Sequence, residues 1–225
     1  MKYWFYHVVK AILWVFFRLR FGLEVFGKDH VPKTGPFILA SNHLSFLDPP
    51  LLGAACPRRL GFMARSDLFR HTLLGAFMRG VHVIPLQRGE ADPGAIREAM
   101  RRLHDGQAIA IFPEGGRQLT GQPGVARRGV GFLAVAARVP ILPVLIRGTF
   151  EALPPDARRL HRAKIRVAFG TEISYTTSSV SSAPTSPEPR RFTPSSPGRA
   201  TRSQTALLAE AITEQWRRLD AQRTP

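Results

Sequence analysis

Cysteine is nearly missing from this chain: Cys56 stands alone among 225 residues. That excludes an internal disulfide framework and leaves no cysteine pair for a metal site. Flanked by Ala54, Ala55 and Pro57, it reads as a small buried hydrophobe. Acids are scarce too, with 16 Asp and Glu against 32 Lys and Arg, a formal charge of +16. Such a surplus points to a polyanionic partner, either nucleic acid or an anionic membrane. There is no Gly-x-Ser-x-Gly elbow, so Ser41 and Ser45 lack a hydrolase setting. No Gly-rich loop ends in Lys-Ser or Lys-Thr, which argues against a nucleotide P-loop. His7, His30, His71, His82, His104 and His161 are scattered without metal-ligand spacing.

Hydrophobic residues make up 44% of the chain, enough for one domain with a sizeable core and an appended segment. Within residues 1–23, Lys2, Lys10, Arg18 and Arg20 alternate with Tyr3, Trp4, Phe5, Tyr6, Ile12, Leu13, Trp14, Phe16, Phe17 and Leu19, and no acid precedes Glu24. Aromatic rings beside cations suit the headgroup region of a bilayer. The uncharged run Ala11 to Phe17 falls short of the about 20 residues a spanning helix needs. Gly22-Leu23-Glu24 is a poor signal-peptide cleavage site. The segment reads as an interfacial helix, with an aromatic helix packed on the core as the alternative.

From residue 24 to 175 short apolar runs alternate with helical patterns. Phe37 to Ala40, Val81 to Leu86, Ala108 to Phe112, Ile141 to Ile146 and Ile165 to Phe169 are strand-like, several apolar throughout, as in strands covered on both faces. Ala95 to His104 reads as a helix capped by Asp92, with Pro93 in its first turn and Gly106 at its end. Asp67 to Met78 and Gly129 to Ala137 are further helix candidates. The expected fold is α/β, a single domain whose partly parallel central sheet is flanked by helices, with ligands near the carboxyl ends of the strands. Residues 176–205 are rich in Ser, Thr and Pro and read as a flexible insertion. In residues 206–225, Leu208, Ile212, Trp216 and Leu219 share one helical face, which is expected to dock on the domain.

Two stretches carry chemistry. In Asn42-His43-Leu44-Ser45-Phe46-Leu47-Asp48 a histidine precedes an aspartate by five residues. On a straight helix these would lie about 140° apart, so they meet only if a turn separates a strand ending near Asn42 from a helix starting at Asp48-Pro49-Pro50. The carboxylate can then fix the imidazole tautomer and leave the other nitrogen as a base. In Phe112-Pro113-Glu114-Gly115-Gly116-Arg117 a Gly-rich turn offers a glutamate and an arginine. A phosphate suits a guanidinium fork and backbone N–H groups at such a turn. Glu114, itself an anion, is expected to position Arg117 or another cation. Arg127 and Arg128 are surface cations by default.

The stretch Gly27 to Pro49 closely resembles the first characteristic block of the glycerophospholipid acyltransferases, in particular the 1-acylglycerol-3-phosphate acyltransferases. Gly80 to Arg88 resembles their second block, Phe112 to Gln118 the third and Val139 to Val144 the fourth, in the family's order over roughly residues 24–172. Gly116 and Gln118 depart from the Thr and Ser usual there.

The resemblance implies acyl transfer from a thioester donor, acyl-CoA or acyl-carrier protein, to the sn-2 hydroxyl of 1-acylglycerol-3-phosphate, forming phosphatidate. His43 would be the base and Asp48 its orienter. Arg88, Glu114, Gly115 and Arg117, with Arg65, would form the acceptor's phosphate site. It implies no metal and no organic cofactor, and a membrane-associated place on the cytoplasmic face of the cell membrane. Expected partners are the lysophospholipid, the thioester donor and an anionic membrane surface, with acyl-carrier protein a further candidate. The nearer alternative is another lyso-lipid or glycerol 3-phosphate as acceptor. The distant one is a basic nucleic-acid-binding protein, for which no reading module is recognisable.

Overall fold

A computed structural model describes residues 3–70, 75, 78, 83–87, 92–176 and 201–222. Its centre is a 7-stranded sheet in the order β1-β7-β6-β2-β5-β3-β4. The strands are β1 (Glu24–Phe26), β2 (Phe37–Ser41), β3 (Leu60–Arg65), β4 (Ile84–Leu86), β5 (Ala108–Ile111), β6 (Ile141–Arg147) and β7 (Arg166–Phe169). β6 and β7 pair antiparallel and every other neighbouring pair is parallel, so the α/β expectation stands. β2 is buried along its whole length, because helices cover both sheet faces.

Alternate side chains of each strand serve opposite layers. Phe37, Leu39, Ala108, Ala110, Leu142 and Val144 pack under the helices α1 (Tyr3–Phe21) and α2 (Asp48–Ala55). Ile38, Ala40, Ile109, Ile141 and Leu145 pack under α3 (Pro93–His104), α4 (Gly129–Ala137) and α6 (Arg202–Ala221). A short α5 (Thr149–Ala152) follows β6. Asp92 caps α3 as its sequence suggested, accepting from the N–H groups of Gly94 and Ala95 at 2.9 and 3.0 Å.

Pro143 sits inside a central strand, where proline normally costs a ladder bond. Its carbonyl accepts from Gly170 N–H at 2.8 Å, so its ring nitrogen faces the β7 side just past the last β7 residue, Phe169. No donor is needed there.

Several elements differ from expectation. β1 and β3 were not foreseen: β1 has three residues, and β3 carries Gly61 and Met63 in place of a β-branched run. The strand expected from Val81 is described over Ile84–Leu86. The Asp67 to Met78 helix opens as a 3-10 helix over Ser66–Arg70, and most of its remainder lies outside the described residues. So do 177–200 of the Ser/Pro-rich stretch. The C-terminal helix starts at Arg202, four residues before the expected 206, because Thr201 caps it with its hydroxyl 3.2 Å from Gln204 N–H. Its apolar face docks as expected, with Leu208, Ile212 and Trp216 buried, and Gly131 of α4 lets it approach closely. A Cβ there would lie 2.7 Å from Thr205 O.

α1 has two apolar sides. Tyr6, Phe17 and Phe21 are buried against the domain, and Lys10 donates to the carbonyls of Cys56 and Pro57 at the end of α2. On the opposite side Trp4, Val8, Ile12, Val15 and Leu19, at helical spacing, are exposed, Leu19 by 81%. None of the described helices is long and apolar enough to cross a membrane.

Candidate active site

β2 and β5 lie side by side and parallel, with Ala40 opposite Ile111. Three residues beyond that pair come His43 after one strand and Glu114 after the other, at the carboxyl edge of the sheet where α/β proteins hold ligands. Asn42 anchors the turn after β2. Its side chain donates to Ile146 O at 3.0 Å and accepts from Ile146 N–H at 2.7 Å, replacing ladder bonds between β2 and β6.

The chain then turns through Leu44 to Leu47 before α2 begins at Asp48, with Pro49 at its start. This turn brings the separated residues together. His43 Nδ1 lies 2.8 Å from Asp48 Oδ2. The same oxygen accepts the N–H groups of Leu44 and Ser45, both at 2.7 Å. Three donors converging on one oxygen of a fully buried side chain fix the carboxylate in place. The proton of the imidazole belongs on Nδ1, facing the carboxylate, and Nε2 keeps its lone pair. Nε2 has no partner among the described residues, and the side chain retains 16% exposure. Phe112 stacks on the ring with centroids 4.2 Å apart and planes 23° from parallel, so the imidazole is held by packing as well as by its hydrogen bond.

Glu114 corrects one expectation. Its carboxylate accepts from His43 N–H at 2.7 Å and from Gly124 N–H at 2.6 Å, not from Arg117. It braces the histidine turn against the loop 115–128. Burial pushes this carboxyl up to about 7, offset in part by those two backbone donors and raised further by the charge of Asp48. Gln118 N–H closes the same junction, donating to His43 O at 2.8 Å.

Two cations border the turn. The Arg117 guanidinium lies 3.7 Å from the Phe46 ring centroid, and its buried Nη1 has no hydrogen-bond partner among the described residues. Gly115 adopts a φ of +79°, and a Cβ there would meet the Arg127 guanidinium at 3.0 Å. Only glycine lets Arg127 fold over the turn. Stacked or folded back, these guanidiniums keep N–H donors uncommitted, which is what an anion needs. The Gln118 carboxamide lies over Gly124, with Nε2 3.3 Å from Gly116 O. Of the other expected site residues, Arg88 falls outside the described residues, and Arg65 is described by its backbone alone, as the last residue of β3.

Sequence reasoning missed Asn42 as an anchor and Ser45, whose hydroxyl donates to Leu153 O at 2.9 Å. It also missed the far support of the loop. Ala126 N–H donates to Thr213 Oγ1 at 3.1 Å, and Trp216 Nε1 reaches Ala40 O at 3.3 Å. Arg147 at the end of β6 pairs with Asp220 and donates to Gln122 at 3.2 Å. α6 therefore carries part of the site's scaffold. No local pattern announces these contacts, since each joins residues far apart in the chain.

A family model described as Acyltransferase matches residues 22–147. The chain is 29% identical over 158 residues to a 1-acyl-sn-glycerol-3-phosphate acyltransferase of Bacillus subtilis (strain 168), covering 69% of this chain and 76% of that protein. It is 32% identical over 148 residues to 1-acyl-sn-glycerol-3-phosphate acyltransferase alpha of Homo sapiens, covering 64% of this chain and about half, 52%, of the relative. Its fold matches the crystal structure of the 1-acyl-sn-glycerophosphate acyltransferase PlsC from Thermotoga maritima with a TM-score of 0.76 at 21% identity, over 98% of this chain and 80% of that one.

Proposed function

The chain belongs to the acyltransferase family, and we propose that it acylates the sn-2 hydroxyl of 1-acylglycerol-3-phosphate to give phosphatidate. The observation that carries this reading is the His43–Asp48 pair at 2.8 Å, with Nε2 open beside a turn bordered by Arg117 and Arg127.

His43 Nε2 takes the proton of the acceptor hydroxyl as its oxygen attacks the thioester carbonyl. Asp48 stabilises the imidazolium that forms and holds its tautomer. As the carbon–sulfur bond breaks, the thiolate leaves and receives the proton from Nε2. The new ester and a free thiol are the products, and no other reactant is required. Arg117, Arg127 and the Gly116 N–H hold the acceptor's phosphate, with Arg88 and Arg65 as further cations; the Gly115 N–H is taken by Phe112 O at 3.2 Å. The donor is acyl-CoA or acyl-carrier protein. α1 lies in the interface of the cytoplasmic leaflet, its bare stripe in the acyl region and its cations among headgroups.

A second acceptor, another lyso-lipid or glycerol 3-phosphate, is favoured by one feature: Gly116 has no side chain and Gln118 folds onto Gly124, so neither brings a hydroxyl to the turn.

The test is acyl transfer from each donor class to 1-acylglycerol-3-phosphate in anionic vesicles, wild type beside His43→Ala. Phosphatidate from the wild type and a loss of at least about 100-fold in the variant are expected. Absence of product with either donor sinks the acceptor assignment and moves it to the second acceptor class.

A further inference from the structure

Between α5 and β7, residues Arg158, Arg159, Leu160, His161 and Arg162 are exposed in succession. Several other surface arginines find carboxylates: Arg101 and Arg102 on Glu98, Arg147 on Asp220, Arg166 on Glu24, Arg217 and Arg218 on Glu214. Arg158, Arg159 and Arg162 have no hydrogen bond or ion pair with any described residue. Three adjacent guanidiniums left without acids repel one another, and an external anion relieves that repulsion.

The segment is tied at both ends to features already described. Arg20 Nη2 donates to Leu160 O at 3.1 Å, and Ile165 N–H donates to Phe21 O at 3.1 Å. These bonds set the arginines beside the end of α1, next to the exposed Leu19. At the other end His161 N–H donates to Ala152 O at 2.8 Å, one residue from the Leu153 carbonyl that receives the Ser45 hydroxyl. Hydrogen bonds thus link the end of α1, through the arginine segment, to the turn that carries His43.

We propose that Arg158, Arg159 and Arg162, with Arg20, form a headgroup-binding patch that clamps anionic phospholipids of the bilayer in which α1 rests. The inference builds on the membrane-active acyltransferase reading. Leu160 and Leu19 interleave apolar surface with the cations, which suits a bilayer interface better than a nucleotide or an acidic protein face. The division of labour follows from the chemistry. The stripe supplies affinity for any bilayer, whereas the guanidiniums supply preference for phosphate-bearing, net-negative lipids.

The test is flotation of the full chain with vesicles of phosphatidylcholine alone, or with added phosphatidylglycerol, for wild type and the triple variant Arg158→Gln/Arg159→Gln/Arg162→Gln. Partition onto anionic vesicles should fall about fivefold per arginine, on the order of 100-fold for all three. Binding to neutral vesicles and the thermal midpoint should not change. Wild-type partition of the triple variant onto anionic vesicles overturns the proposal. So does equal loss on both vesicle types, or intact vesicle binding with a raised KM for a soluble acyl donor in neutral detergent. Flotation needs no turnover. A chain that floats as expected yet makes no phosphatidate would sink the 1-acylglycerol-3-phosphate acceptor assignment and leave the patch standing.

Discussion

The carboxylate of Glu114 accepts the backbone N–H of His43 at 2.7 Å, joining two residues 71 apart in the chain. The proposed base is therefore held from behind by a group that does not touch its ring. Glu114→Gln keeps the shape but turns one acceptor into a donor facing a backbone N–H. It should cost about 1–3 kcal/mol in urea unfolding. In turnover both kcat and KM should respond, because Glu114 also holds, through Gly124 N–H, the loop that carries Arg117 and Arg127.

The same residue sets a pH dependence. Its folded-state carboxyl is raised to about 7 from a usual 4.5 by burial, so the folded protein binds more protons than the unfolded chain between those values. Stability should therefore fall as pH rises from about 4.5 to 7 and then level off, by at most on the order of 3 kcal/mol. Thermal midpoints of wild type and Glu114→Gln against pH check this, since the difference between the two curves isolates the residue. A wild-type midpoint that rises across that window relative to the variant's would contradict it.

Asp48→Asn tests the charge of that carboxylate. The amide keeps its oxygen toward the Leu44 and Ser45 N–H groups and still accepts from Nδ1, so the tautomer holds while the charge that stabilises the imidazolium is lost. A fall in kcat on the order of 10²–10⁴-fold is expected. Nitrogen-15 NMR of the His43 ring should show the proton still on Nδ1.

Two glycines in α4 should respond in opposite directions. Gly131→Ala drives a Cβ to 2.7 Å from Thr205 O and should cost about 1–3 kcal/mol by separating α4 from α6. Gly129→Ala meets open space and should stabilise by roughly 0.5–1 kcal/mol through helix propensity. Denaturant midpoints of the two variants settle the sign of each.

On α1, Ile12→Ser with Leu19→Ser removes exposed apolar surface without touching the core face. Vesicle binding should weaken for neutral and anionic lipids alike, with the unfolding midpoint unchanged. A large drop in midpoint would mean that the stripe packs on protein.

How much of this was legible in the sequence depended on whether the signal was local. β2, β5 and β6 announced themselves because strands covered on both faces are apolar at every position. The Asp92 cap and the Asp48-Pro49-Pro50 helix start are local chemistry and were readable. Thr201-Arg202-Ser203-Gln204 has the Thr-x-x-Gln form of a capping box, but lies against a stretch so rich in Ser and Thr that the cap did not stand out. The brace by Glu114 was not readable, because its partners are the backbone amides of His43 and Gly124, which no residue type encodes. The likeness to the family's third block pointed to Glu114 and left open what it binds.

The mid-sheet position of β2 also bears on how the chain is made. Its neighbours β5 and β6 are synthesised about 70 and 100 residues after it, roughly 5–20 s later at ordinary translation rates. Throughout that interval a strand apolar over Phe37 to Ala40 has two unpaired edges. Codon choice or chaperone supply between residues 41 and 147 should therefore govern the yield of soluble chain, while substitutions after β6 leave that early exposure unchanged.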